Sequence, residues 1–161
     1  LLTRPIVGVV GIFAIMFMVQ VVDILNRVLS AEQGGLAERL LESTMFVSDA
    51  SLQGAELVRR MAGESRRHCA ALAGMVTLLG GAPASRRLDA LSSDLHFHEL
   101  GFVLPRVAAA EAALVFEYRS SASVLGDVPE AAKLVSGMAD AHEKNLLQLR
   151  KLIGVQAGAR A

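Results

Sequence analysis

The sequence has little of what marks disulfide-bonded, β-rich or nucleic-acid-binding proteins. Its single cysteine, Cys69, excludes an internal disulfide and any cysteine-rich zinc site. There is no tryptophan, and the aromatic residues are six phenylalanines and one tyrosine. Sixteen Lys and Arg residues balance sixteen Asp and Glu residues, so no net charge attracts a polyanion. These features argue against a nucleic-acid partner, and we find no phosphate-binding glycine loop or nucleophile motif.

What the sequence does have is apolar, helix-forming composition. Apolar residues make up 53% of the chain and charged residues 20%, with alanine and leucine prominent and little alternation of β-branched residues. This composition favours an all-α protein. A length of 161 residues is typical of one domain with a substantial core.

The N-terminus carries a separate apolar run over residues 5–22, in which the strongly polar member is Gln20. As a helix, this run would cover about 27 Å, which is borderline for a membrane span. We treat residues 1–20 as a distinct segment and predict a cytoplasmic protein, either anchored through residues 5–22 or unanchored. The unanchored alternative has translation starting at Met16 or Met18, which would leave only a short lead-in.

From residue 21 onward, apolar residues recur at steps of three and four, which predicts four amphipathic helices. The first runs from residue 21 to about 47, and the second ends at Gly80 and Gly81. The third ends at about Leu125, and the fourth extends to about residue 155.

The connection between the second and third helices is polar and covers residues 82–94. At ~3.3 Å per residue it reaches about 40 Å, enough to return the chain from one end of a bundle to the other. A short turn, a long crossover and a short turn are the connectivity of a ferritin-like four-helix bundle. We expect this bundle over residues 21–155, with residues 156–161 as a flexible tail.

Each predicted helix places one potential metal ligand within its apolar row. A buried carboxylate without a partner costs several kcal/mol, so these intrusions need compensation. Two carboxylates and two imidazoles, one from each helix, either ligate a divalent metal or hydrogen-bond to one another. The four candidates are Glu32, His68, Glu111 and His142.

Several of these segments resemble the bacterioferritins. The stretch LNRVLSAE at positions 25–32 and the Met45–Phe46 pair resemble the end regions of that family's first helix. The spacing from Phe46 to His68, and from His68 to the GAP turn at 81–83, also matches without an insertion. The resemblance extends from about residue 21 to 153 and implies a ferritin-like fold that assembles at least into a dimer.

The resemblance also implies a di-iron ferroxidase site, in which the four candidates match the two terminal carboxylates and the two histidines. The positions of the family's bridging glutamates hold Ser65 and Ala139, however. Glu64 and Asp140 are each one residue away, and one residue turns a helical side chain by ~100°. The position of the family's haem-ligating methionine holds Arg66, so we predict no haem.

We therefore predict a metal-binding or structural ferritin-like protein with at most one iron or other divalent ion per chain. Ferroxidase activity is doubtful without the bridges, and whether the chain is an enzyme stays open. One alternative is a working iron-storage subunit in which Glu64 and Asp140 turn inward or water bridges the metals. Another is a metal-free interaction subunit of a membrane complex, with Arg39 pairing to Glu32 or Glu111.

Overall fold

The computed structural model describes residues 6–85 and 95–159, with the backbone alone for residues 6–14, 156 and 159. Within these ranges the chain is helical, and its extended pairing is an isolated parallel bridge between Phe46 and Glu99. The helices are α1 (Ile6–Gln33), α2 (Leu36–Glu42), α3 (Leu52–Leu78), α4 (Leu100–Val124) and α5 (Pro129–Ala159).

The four long helices form a bundle whose apolar core is divided into two clusters. The α1 cluster includes Leu25, Leu72 and Leu125, and the α2 cluster includes Leu40 and Leu104. Polar residues lie between the two clusters along every long helix, and we call this set the polar layer. It consists of Glu32, Ser65, His68, Glu111, His142 and Asn145.

The first helix ends earlier than predicted, and the prediction that it runs to residue 47 is wrong. α1 ends at Gln33, and α2 resumes at Leu36 and stops at Glu42. Glycine is a poor helix former, so two glycines in succession disfavour a helical backbone at this point of the chain. Gly35 adopts an extended backbone (φ −55°, ψ 135°) and donates its N–H to the Glu32 carbonyl at 2.9 Å. Gly34 and Gly35 therefore separate two helices, where we had expected them within one.

The second long helix stops where the sequence predicted. Gly80 adopts φ 79°, in the left-handed region that glycine tolerates, and donates its N–H to the carbonyl of Thr77 at 3.0 Å. Gly81 donates to the carbonyl of Val76 at 2.9 Å, which completes a Schellman motif. The two glycines thus end α3 by satisfying its last carbonyl groups.

The start of α4 lies beside the loop that precedes α3. Phe97 donates its N–H to the Thr44 carbonyl at 2.7 Å, and Leu100 donates to the Phe46 carbonyl at 2.9 Å. Since this loop joins α2 to α3, helices α3 and α4 begin at the same end of the bundle. The chain between them must therefore travel the length of the bundle, as the predicted crossover requires.

The first part of that crossover runs along α1. The Asn26 side chain donates to the Ala82 carbonyl at 3.0 Å and accepts from the Ala84 N–H at 2.7 Å. Gln33, further along α1, donates to the Ala84 carbonyl at 3.1 Å. Residues 86–94 of the predicted connection lie outside the described residues.

The N-terminal part of α1 extends beyond the core. From residue 15 onward, where its side chains are described, Val21 is the first buried residue of α1, while Ile15, Met16 and Val19 are more than half exposed. Residue 5 and the side chains of residues 6–14, which belong to the predicted anchor, lie outside the described residues. Across the part of the chain that the structure describes, none of the helices combines the length and apolar character needed to cross a bilayer.

Candidate metal centre

The polar layer brings the four predicted residues together at the centre of the bundle. Glu32 comes from α1, His68 from α3, Glu111 from α4 and His142 from α5. Glu32 is fully buried, and Glu111 and His142 are 5% and 4% exposed. Each lies three, four or seven residues after an apolar residue of its helix, so its side chain points toward the bundle axis.

His142 lies between the two carboxylates. Its Nδ1 is 2.8 Å from Glu111 Oε1, and its Nε2 is 3.0 Å from Glu32 Oε2. Both carboxylates accept a hydrogen bond only if both ring nitrogens carry a proton. Burial disfavours the charged ring, but the hydrogen bonds to Glu111 and Glu32 outweigh burial and raise the pKa of His142 to about 9. In the metal-free protein, His142 is therefore an imidazolium at neutral pH.

Glu32 has a second donor on the same oxygen. The Tyr118 hydroxyl donates to Glu32 Oε2 at 2.6 Å. Burial alone would raise the pKa of Glu32, but the hydrogen bonds from His142 and Tyr118 and the nearby His68 ring hold it well below its usual range. Burial and the Glu32 carboxylate raise the pKa of Tyr118 far above its usual value, so Tyr118 stays a neutral donor.

Three buried polar atoms of the layer lack a hydrogen-bond partner: Glu32 Oε1, His68 Nδ1 and Ser65 Oγ. Of these, Glu32 Oε1 and His68 Nδ1 lie 3.5 Å apart. Potential ligand atoms of Glu32, His68 and His142 all lie within 4.8 Å of one another. Glu111 is not in this group of three, because its carboxylate contacts the opposite nitrogen of His142. A cation bound between Glu32 Oε1 and His68 Nδ1 would give both atoms a partner.

The positions that match the bridging glutamates carry no carboxylate into the layer. Ser65 and Ala139 are both buried. Glu64 accepts a hydrogen bond from Asn145 Nδ2 at 2.8 Å. The Asp140 side chain is 69% exposed and pairs with Arg119 at 2.6 Å. Neither side chain is turned inward as the first form of the iron-storage alternative supposes, and its second form, in which water bridges the metals, stays a prediction.

Sequence reasoning missed two members of this region. Tyr118 was not among the candidates, although its position seven residues after Glu111 places both on one face of α4. Asn145, three residues after His142, is 3% exposed and was not singled out. The aligned spacing of polar groups on one helical face is the signal that could have found both.

The metal-free alternative paired Arg39 with Glu32 or Glu111. Arg39 lies on α2, beyond the helix break, and its guanidinium would be 3.9 Å from a Cβ added at Gly34. In the described structure, the cation that contacts both Glu32 and Glu111 is His142.

Comparison with known proteins gives no relative: no family model matches the chain, and no curated protein matches it. The resemblance to the bacterioferritins therefore stays a prediction.

Proposed function

We propose that this chain is a ferritin-like, bacterioferritin-related protein that binds one divalent transition-metal ion in the core of its bundle. The ligands are Glu32, His68 and His142. Its role is metal binding, with iron oxidation slow or absent. The observation that carries the proposal is the pair of buried, unpartnered atoms, Glu32 Oε1 and His68 Nδ1.

The distance between these atoms suits a shared ion. Imidazole nitrogens and carboxylate oxygens bind Zn²⁺ at ~2.0–2.2 Å, so two ligands of a tetrahedral ion lie roughly 3.4 Å apart. The measured separation is 3.5 Å. A separation of this size is long for a hydrogen bond, which explains why neither atom has a hydrogen-bond partner.

The charge of the layer also favours a divalent cation. A metal-binding His68 must be neutral, and with a neutral His68 the two carboxylates and the His142 imidazolium leave one buried negative charge. A divalent ion that displaces the Nε2 proton of His142 would bring the layer to neutrality. Because an uncompensated buried charge is costly, this exchange stabilises the folded chain.

The donor set indicates the class of metal. Two imidazoles and one carboxylate suit zinc, iron, copper or nickel, whereas magnesium and calcium prefer oxygen ligands. A second ion would need bridging carboxylates, and the matching positions hold Ser65 and Ala139. Without them, two irons are not held close together, which is the reason for expecting slow iron oxidation.

Metal analysis of the purified protein tests the proposal. Protein from cells supplemented with iron, manganese or zinc should contain up to one ion per chain by mass spectrometry, and stripped protein should rebind one ion in calorimetry. Glu32→Gln should abolish binding. Asp140→Asn, which removes an exposed carboxylate two residues from His142, is the matched control and should bind normally. Two rapidly oxidised irons per chain would contradict the proposal.

A second candidate function is a metal-free structural bundle, and the hydrogen-bonded network favours it. His142 already bridges Glu32 and Glu111, and Tyr118 adds a further donor to Glu32. This network compensates one of the two buried negative charges without an ion. If stripped protein binds none of the three metals and its melting temperature does not respond to them, the metal-free bundle is the better account.

A further inference from the structure

We infer that the metal site has only three protein ligands and an open fourth position, which a water molecule or a small anion fills. In this arrangement Glu111 is a positioning residue that orients His142 and does not bind the ion. The inference rests on the proposed function.

The two nitrogens of His142 point to different partners. Nε2 faces Glu32, where the unpartnered atoms lie, and Nδ1 contacts Glu111 Oε1 at 2.8 Å. An imidazole nitrogen that binds a metal must give up its proton, and the other nitrogen then keeps one. Glu111 accepts that remaining proton, which fixes the tautomer and the ring orientation. Carboxylates commonly serve metal-bound histidines in this way.

The other polar groups of the layer do not supply a fourth ligand. The Tyr118 hydroxyl is engaged as a hydrogen-bond donor to Glu32 Oε2 at 2.6 Å. Asn145 is engaged with Glu64 at 2.8 Å. The group of mutually close ligand atoms in the described chain is therefore Glu32, His68 and His142.

Structural zinc sites have four protein ligands, whereas sites with three keep a position for water or substrate. The group of three ligands comes nearest to solvent on the α3 side, where the His68 side chain is 14% exposed while that of Glu32 is fully buried. We expect a small anion to reach the fourth coordination position from this side. The geometry points to a metal site whose fourth ligand is exchangeable, in contrast to a purely structural site.

Cobalt and azide test this inference on the full chain. Stripped protein loaded with one Co²⁺ should show visible bands that shift and saturate as azide is added. Bound cobalt whose bands azide leaves unchanged would overturn the open position while leaving the proposed function intact. Failure to bind cobalt, zinc or iron at all would overturn both.

Variants of Glu111 test its positioning role. Glu111→Gln retains a carbonyl that can accept the Nδ1 proton, so the cobalt spectrum and the one-to-one stoichiometry should be preserved. Glu111→Ala should weaken cobalt binding by about 10–100-fold. Asp140→Asn is the control, and circular dichroism checks that each variant is folded. If Glu111→Gln changes the cobalt bands as a lost ligand would, Glu111 binds the ion and the inference is wrong.

Discussion

The apolar clusters and the polar layer of this bundle are built from the same helices, but different interactions stabilise their buried side chains. In the clusters, side chains such as Leu25 and Leu104 are fully buried and need only contact and shape. In the layer, Glu32 and His142 are buried to nearly the same extent, but each depends on named partners. Burial alone therefore does not show how a residue contributes to the stability of the folded chain. Loss of a cluster side chain removes contact, whereas loss of a layer side chain leaves a charge unpaired.

The largest effect is expected at the centre of the layer. His142→Ala removes the cation between Glu32 and Glu111 and leaves two buried carboxylates facing each other. Breaking a buried ion pair in this way costs about 3–5 kcal/mol. Urea denaturation in the presence of a chelator measures the loss. A cost below about 1 kcal/mol would show that the carboxylates find water or another partner.

A cluster variant should destabilise the chain and leave the metal site intact. Leu104→Ala deletes a fully buried side chain that packs against Gly54, at a cost of about 2–5 kcal/mol. Unlike His142→Ala, it should still bind one metal ion per folded chain. Titration calorimetry below the unfolding transition checks this, and lost binding would mean that the clusters also position the layer.

The stability of the metal-free protein should fall as the pH rises. The pKa of His142 is raised to about 9 in the folded chain, against an ordinary value of 6.5. Its contribution is therefore fully present below about pH 6.5 and disappears as the pH rises through 9. Metal affinity should change in the opposite direction over this window, because the ion displaces the Nε2 proton.

Chelator-treated protein, melted between pH 6 and 9.5, measures this effect. His142→Gln is the control and should flatten the profile across that range. A wild-type profile as flat as that of the variant would contradict the charged state assigned to His142.

The smallest effect is expected at the edge of the network. Tyr118→Phe removes one donor to Glu32 Oε2, which retains His142 as a partner. We expect a loss of about 1–2 kcal/mol in urea denaturation and little change in metal stoichiometry. A loss as large as that from His142→Ala would place Tyr118 at the centre of the layer.

The sequence predicted the parts that depend on periodicity. Steps of three and four residues indicated the four long helices, and the same registers placed Glu32, His68, Glu111 and His142 in the core. Periodicity does not encode side-chain rotamers, so it could not show that His142 would bridge two carboxylates. Periodicity also did not indicate the helix break at Gly34 and Gly35. The weak helix propensity of glycine acts through the backbone and leaves the pattern of apolar side chains unchanged.

The break at Gly34 and Gly35 has an electrostatic consequence for the layer. α1 ends at Gln33, one residue after Glu32, so the negative end of its helix dipole lies at the polar layer. That end carries the equivalent of about half a negative charge. A continuous helix to residue 47 would have moved it roughly 20 Å away, at ~1.5 Å per residue. The break also places the positive N-terminal end of the seven-residue α2 at Leu36. The two glycines thus bring both a negative and a positive helix end to the layer, and a continuous helix would have placed neither there.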